Sequence, residues 1–385
     1  MDCLTTLISF LADASVYQPS GDFLLGCTAL MFRSAEGNPF AGRTMELSTE
    51  LPYVVASLPK GQALASRVEG HEPLRFTTRY GILAIAVPNQ TVEDLKIVEG
   101  LNETGLTFSV LAYGGASGPR NKAAKTQAML AAVDLGAWVL GLCASIAEVK
   151  EALSKRTIVL TSLAPLHGAT SPFHFVVHDA SGKSLVIEFS KGKQNLYDNP
   201  VGVMTNGPEF TWHLTNLGNY TFLNNVDRST GRFGELDVAQ PDAGIATAGL
   251  PASNTSVGRF VRAAYYSTYA EKPADDHAIR TLAHIMNNFD RPKGVTLNSS
   301  SLSGLDIEGA SSGKDAHAAS EYTSWTVLSD LKGRQIHIRT YDALNYIRLD
   351  LARLFAANEV KVAPLARLSS LAGADATDAL LAATK

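Results

Sequence analysis

A cysteine, an arginine and a carboxylate stand close together early in the chain, as Cys27, Arg43 and Glu46. Cys27 opens an apolar run, Cys27-Thr28-Ala29-Leu30-Met31-Phe32, that reads as a buried strand. A turn follows at Glu36-Gly37-Asn38, and a second run returns from Pro39 to Leu47. Two apolar runs joined by a Gly/Asn turn read as a β-hairpin, which brings Arg43 and Glu46 back towards the thiol. An arginine beside a thiol lowers its pKa and enriches the thiolate, the reactive form. The same residues also have a plainer reading. Cys27 is then a small core residue, and Arg43 and Glu46 are a surface ion pair on an edge strand. Strand parity adds a condition. Residues three apart point to opposite faces, so Arg43 and Glu46 serve one site only if the strand ends or bulges between them.

Composition narrows the class. The chain has 385 residues, 45% of them hydrophobic, and a mean hydropathy near zero, which suits one large or two ordinary globular domains. A net charge of −4 carries no basic excess for nucleic acid or an acidic membrane surface. No stretch approaches the roughly 18 apolar residues of a membrane span. Cys3, Cys27 and Cys143 are too few for a disulfide framework and lack zinc-site spacing. His174 and His178 are four apart on a strand, roughly 13 Å, too far to share a metal. Ser181-Gly182-Lys183-Ser184 ends like a P-loop, but Val177 stands where the first glycine belongs, so it reads as a hairpin turn. Neither metal nor cofactor is expected.

The elements that must position the thiol follow from pattern. Residues 1–26 read as a leader or pro-segment. Leu4 to Leu11 is a short apolar run, but Asp2 stands where an export signal needs basic residues. Leu24-Leu25-Gly26-Cys27 also looks like a lipoprotein cleavage box, against which the same missing basic residues count. An over-long start is the further alternative, and the compartment stays open between cytoplasm and periplasm or export. Strands are expected at 28–33, 39–47, 52–57, 80–87 and 107–113, with a turn at Asn102–Leu106 and a polar loop from Gly114 to Lys125. Gln127 to Cys143 reads as a helix, and Ser145 with Glu148 caps a second one to about Leu153. Strands return at 157–162, 173–178, 184–189, 194–198 and 201–205. Helices are expected near 210–217, 256–269 and 275–288, and strands near 323–329 and 335–341. Residues 351–385 read as a terminal helix or loose tail. Strand blocks flanking a helical block fit a layered α+β fold of antiparallel sheets with helices outside.

Five segments then carry a resemblance. They are Cys27-Thr28, Gly42-Arg43-Thr44-Met45-Glu46, Asn102-Glu103-x-Gly105-Leu106 with Val110-Leu111-Ala112-Tyr113, Met204-Thr205-Asn206-Gly207-Pro208 with Phe210, and Arg259-Phe260-Val261-Arg262-Ala263. Thr323-Ser324-Trp325-Thr326 and Arg339-Thr340-Tyr341-Asp342 add the closing strands. In this order the chain resembles the choloylglycine hydrolases, which include conjugated bile-salt hydrolases, penicillin V acylases and related acylases of linear amides. The likeness runs from Cys27 to about Leu351. It implies an N-terminal nucleophile hydrolase with a four-layer αββα sandwich of two antiparallel sheets. Residues 1–26 would be removed, 27–350 would form the catalytic domain, and 351–385 would be a C-terminal tail.

The resemblance also assigns roles. Cys27 would become the first residue of the mature chain, joining thiol and α-amine in one residue, with reference pKa values of about 8.5 and 7.7–8.0. Such an amine can take the thiol proton and pass it to a leaving amine. Arg43 would stabilise the thiolate and Glu46 hold the α-amino group. Asn206 and the Ala112 N–H would form an oxyanion hole, Arg259 would orient the site, and Tyr113 would face the substrate. Two departures bear on substrate. The family usually has Asp where this chain has Glu46, and the bile-salt hydrolases usually have Asn where it has Ala112. With Thr77-Thr78-Arg79-Tyr80-Gly81, which resembles the Gram-negative penicillin acylases, Ala112 tilts the expectation from bile salts towards penicillin V or an acyl-homoserine lactone. The alternatives are a conjugated bile salt, or a non-catalytic binding protein if the leader stays. The expected partners are a small N-acyl amide substrate and further copies of the chain, a homotetramer by resemblance.

Overall fold

Period-two alternation and short turns build two large antiparallel sheets. The structure is a computed structural model that describes residues 25–48, 50–89, 91–119, 124, 127–163, 169–298, 319–372 and 375–383. Its first sheet contains β1 (Leu25–Arg33) and β2 (Pro39–Leu47). The second contains β3 (Val54–Leu58), β4 (Ile82–Val87), β5 (Lys96–Asn102), β6 (Thr107–Ala112), β7 (Phe173–His178), β8 (Ser184–Ser190) and β9 (Lys193–Asp198). The chain returns to the first sheet with β10 (Val203–Met204), β11 (Tyr322–Asp330), β12 (Gln335–Thr340) and β13 (Ile347–Asp350). It ends in the second with β14 (Lys361–Pro364). The orders are β10-β1-β2-β11-β12-β13 and β9-β8-β7-β6-β5-β4-β3-β14.

Helices cover both outer faces. On the second sheet lies α1 (Leu135–Leu142), followed by α2 (Ile146–Ser154); α3 (Phe210–Asn216) comes after β10. On the first sheet lie α4 (Ser256–Tyr269), against β1, and α5 (Asp275–Met286), against β2 and β11. This is the expected αββα order. Each sheet buries both faces, one on helices and one on the other sheet, so β2 is buried along its whole length. Local chemistry sets the ends. Ser145 accepts the Glu148 N–H while Glu148 accepts the Ala144 N–H, a near-capping box for α2. Gly37, at φ +80°, makes the β1–β2 turn. Gly182, at φ +79°, closes the β7–β8 hairpin, as read from the sequence.

Several elements differ from expectation. Leu130–Ala131 pairs in parallel with Ile158–Val159, so the helix expected from Gln127 is confined to α1. Tertiary pairing overrides helix propensity there. Strand β5, not read from the sequence, sits in the middle of the second sheet. The stretch expected as a C-terminal tail is part of the fold, with α6 (Leu351–Ala356), β14, α7 (Leu365–Ser369) and α8 (Thr377–Leu381). Strand β14 pairs with β3 at the sheet edge, and Leu351, Leu354, Leu365, Leu368 and Leu380 enter the core. The leader falls on residues of which 1–24 lie outside the described ones; Leu25 and Gly26 already belong to β1.

Candidate active site

Register places the key side chains. On β1 and β2, Cys27 lies opposite Met45, Ala29 opposite Arg43, Thr28 opposite Thr44 and Gly26 opposite Glu46. Cys27, Met45 and Arg43 therefore share the face turned towards the second sheet. Thr28, Thr44 and Glu46 share the face turned towards α4 and α5. Strand β2 is not an edge; it runs between β1 and β11. The pairing does shift at Met45/Glu46, but on the β11 side, where Ser324 is the extra residue. Arg43 and Glu46 thus keep opposite faces and flank β1 from its two sides.

Arg43 is 1% exposed and joins the two sheets. Its Nη2 lies 3.4 Å from Cys27 Sγ and donates to Val110 O at 2.7 Å. Its guanidinium stacks on Trp325, 4.4 Å from the ring centre, and its Nε lies 3.8 Å from Glu99. Burial pushes the Glu99 carboxyl up to about 7, with Arg43 pulling the other way.

Cys27 itself is 1% exposed. Burial pushes its thiol pKa up and outweighs the opposing pull of Arg43; Glu46 adds to the rise, while the Ala112 amide and Arg259 lower it. The expectation that Arg43 leaves the thiol more acidic is corrected for this state, in which Gly26 is still attached. Desolvation of a fully enclosed thiolate exceeds the gain from one guanidinium.

Asn206 is the other hub. Its Oδ1 accepts from the Cys27 N–H at 2.9 Å and from Arg259 Nη2 at 2.6 Å, and its Nδ2 donates to Ala112 O at 2.9 Å. Its backbone is held too, by Ser256 Oγ on its N–H and by His213 Nε2 on its carbonyl, both at 2.9 Å. Arg259, at the start of α4, also donates to the Cys27 carbonyl and to Thr28 Oγ1. Thr255 caps that helix. Burial pulls the Arg259 pKa down to about 10, against the pull of Glu46.

Strand alternation explains Ala112. The Tyr113 N–H turns to Pro172 in the β7 direction, so the Ala112 amide turns the other way, beyond the last residues paired with β5, and towards Cys27. Tyr113 is 4% exposed and stacked on His174, with ring centres 4.9 Å apart. Glu46 is buried, and neither carboxylate oxygen has a hydrogen-bond partner among the described residues.

The fold therefore gathers Cys27, Arg43, Ala112, Asn206 and Arg259 around one peptide unit, with Glu46 behind Gly26 and Tyr113 alongside. Sequence reasoning missed His213, Glu99, Trp325 as a guanidinium platform, and the pair Arg291–Glu321. None of these has a local signal; each is brought in by a distant element. Among the described residues no group of three or more His, Cys, Asp or Glu converges as a metal site needs. No helix there is long and apolar enough to cross a membrane. A cavity of about 1010 Å³ lies near the far end of β1 beside Met31 and Arg33. Another, of about 310 Å³, is lined by Arg291, Thr323 and Trp325.

Two facing antiparallel sheets between helical layers carry this cluster at the start of an inner strand. The chain belongs to the choloylglycine hydrolase family of linear amide C–N hydrolases, whose family model matches residues 27–360. It is 28% identical over 273 residues to a bile salt hydrolase/transferase of Clostridium perfringens, covering 70% of this chain and 80% of that one. It is 25% identical over 219 residues to a penicillin V acylase of Pectobacterium atrosepticum, covering 54% and 58%. Its fold matches a crystal structure of a conjugated bile acid hydrolase variant from Clostridium perfringens with TM-score 0.74 at 23% identity, over 88% of this chain and 97% of that one.

Proposed function

We propose that the chain is an N-terminal cysteine amidohydrolase that cleaves a small N-acyl amide through a thioester on Cys27. The observation that carries this reading is the meeting of Cys27 Sγ, Arg43, the Ala112 amide and Asn206 at one peptide unit. In the structure the Cys27 nitrogen is still an amide, so it cannot act as a base. Removal of residues 1–26 frees it. The amine then takes the thiol proton, the thiolate attacks the acyl carbon, and the amine returns the proton to the leaving nitrogen. Water completes the reaction by splitting the thioester. Arg43 steadies the thiolate, and Glu46 meets the ammonium form. Asn206 Nδ2 and the Ala112 N–H receive the developing oxyanion, with Asn206 held in place by Arg259 and His213.

The substrate reading is an acyl amide of the penicillin V or acyl-homoserine lactone kind. Ala112 supports it, because a methyl group offers a bulky polar steroid conjugate no hydrogen bond. A conjugated bile salt is the second reading, favoured by the bile salt hydrolases among the relatives. The test is a panel of penicillin V, acyl-homoserine lactones and glycine- and taurine-conjugated bile salts, assayed for released amine. Release from none of them, by protein that has lost residues 1–26, would overturn this substrate reading; protein that keeps those residues and releases nothing would leave the binding protein. We also infer a homo-oligomer. It is supported by an exposed hairpin, Thr230–Phe233 with Leu236–Ala239, on which Phe233 is 76% and Leu236 64% exposed.

A further inference from the structure

Gly26 continues β1 ahead of the thiol and lies opposite Glu46. Its φ is not left-handed, so the backbone does not require glycine there. Space does. A Cβ on Gly26 would fall 3.1 Å from Glu46 Cβ and 3.2 Å from Glu321 Cδ, and closer still to Glu321 Oε1. Glu321 is not free to swing aside, because its other oxygen is paired with Arg291. Arg291 is 3% exposed and donates to Asn254 O at 2.5 Å. The same carbonyl accepts from Arg259 Nε at 3.0 Å, which ties the pair to the arginine that holds Cys27. Behind Gly26 stands the second carboxylate, the buried Glu46, which has no hydrogen-bond partner among the described residues.

A buried carboxylate without donors is costly unless a cation compensates it. Arg259 is one such cation, acting on Glu46 through its charge, and an ammonium at the Cys27 nitrogen would be a second. We propose that Glu321, clamped by Arg291, is a positioning residue of this site: it admits only glycine before the cleaved bond, and with Glu46 it seats the α-ammonium that cleavage uncovers on Cys27. This rests on the proposed function and deepens it. Cys27 Sγ adds to the Gly26 carbonyl carbon, the C–N bond breaks, and the thiol proton passes to nitrogen. Water then splits the thioester, leaving Gly26 as a carboxylate and Cys27 with free thiol and amine. The charged groups around that amine are Glu46 from β2, Glu321 ahead of β11, Arg259 from α4, and Asp290 and Arg291 after α5. Arg43 lies across the strand. The carboxylates favour the ammonium and the arginines oppose it.

Mass spectrometry of the purified full-length chain reads the first half of the proposal. Wild type loses residues 1–26. Gly26→Ala should slow that loss at least about tenfold, one factor of ten being about 1.4 kcal/mol of barrier. Adding Glu321→Asp, which withdraws the carboxylate by one methylene and keeps its charge, should restore it. The processed enzyme reads the second half. Glu321→Gln keeps the bulk and removes the charge, so the ammonium should deprotonate earlier. The acid limb of kcat/KM should move to lower pH, by about half a unit to one unit. Normal processing of Gly26→Ala, no rescue by Glu321→Asp, or an unmoved acid limb overturns the proposal. If Glu321→Gln fails to fold because Arg291 is left unpaired, the Gly26→Ala pair of variants decides alone. Wild type that is processed, and silenced by Cys27→Ala, beside an unmoved acid limb sinks this inference only. Wild type that stays at Met1 sinks the proposed mechanism with it.

Discussion

At Cys27, burial and charge pull in opposite directions, and burial wins while Gly26 is attached. The thiol therefore holds its proton more tightly while Gly26 is attached. Cys27→Ala should abolish amide turnover, and Cys27→Ser should lower it by several orders of magnitude, since a hydroxyl ionises far less readily than a thiol. Released amine, measured on chains expressed to begin at residue 27, checks both. Asn206 has every polar atom engaged, so two effects must be separated there. Asn206→Ala should lower kcat by about 10²–10³, with a smaller change in KM, because the donor acts on charge that appears in the transition state. It should also lower Tm, since Arg259 loses an acceptor and a buried donor left unmade costs about 1–3 kcal/mol. A lower Tm with normal kcat would make Asn206 a turn residue and nothing more.

Among the elements, β2 does the most for the site. One regular strand sends Arg43 to the thiol and Glu46 to the opposite face, and the irregularity is borne by β11. Helix α3 has a quieter role. His213 holds the Asn206 carbonyl and stacks on Phe260, with ring centres 4.5 Å apart. Burial pulls its pKa down to about 4, so it stays neutral through the working range and contributes no limb to the activity profile. The C-terminal elements are structural. Strand β14 covers the β3 edge, and α6 to α8 bury leucines against the core. Deleting residues 358–385 should expose that edge and remove Leu365, Leu368 and Leu380. Each buried leucine is worth about 2–3 kcal/mol, enough together to erase the margin of an ordinary domain. Loss of a cooperative melting transition, followed by near-UV circular dichroism, is the expected outcome.

For the whole molecule, Glu99 links stability to pH. Its folded pKa, about 7, lies above the reference value of 4.5. Between those values the native state holds the extra proton, so stability is full below about 4.5 and declines as pH rises through about 7. Glu99→Gln should flatten that decline, read as Tm against pH; an unchanged slope would assign it to other groups. The exposed hairpin 230–239 concerns assembly. If the chain assembles through this hairpin as proposed, Phe233→Asp combined with Leu236→Asp should give a monomer in light scattering, because a charge at an apolar contact would be left unpaired. The change lies outside the cluster around Cys27, so processing should persist.

Much of this was legible in the chain itself. The β1–β2 hairpin, the capped α2 and the β7–β8 turn rest on periodicity and turn chemistry, which are local; the ordered motifs from Cys27 to Arg259 are read by resemblance to a family. Helix propensity misled at Leu130–Ala131, where pairing with Ile158–Val159 decided the outcome. The C-terminal stretch looked like a tail because its strand is four residues long and needs β3 as a partner. The thiol pKa took its sign from burial, which is a property of the packed molecule and not of the Arg43 spacing. Glu321, Arg291, Glu99 and His213 carry no local mark. They reach the site across sequence separations that only two closed sheets bring together, and the Arg259–Cys27 bond alone spans 232 positions. Residue types and order determined the chemistry available; tertiary structure decided which groups meet, because desolvation and distance exist only after folding.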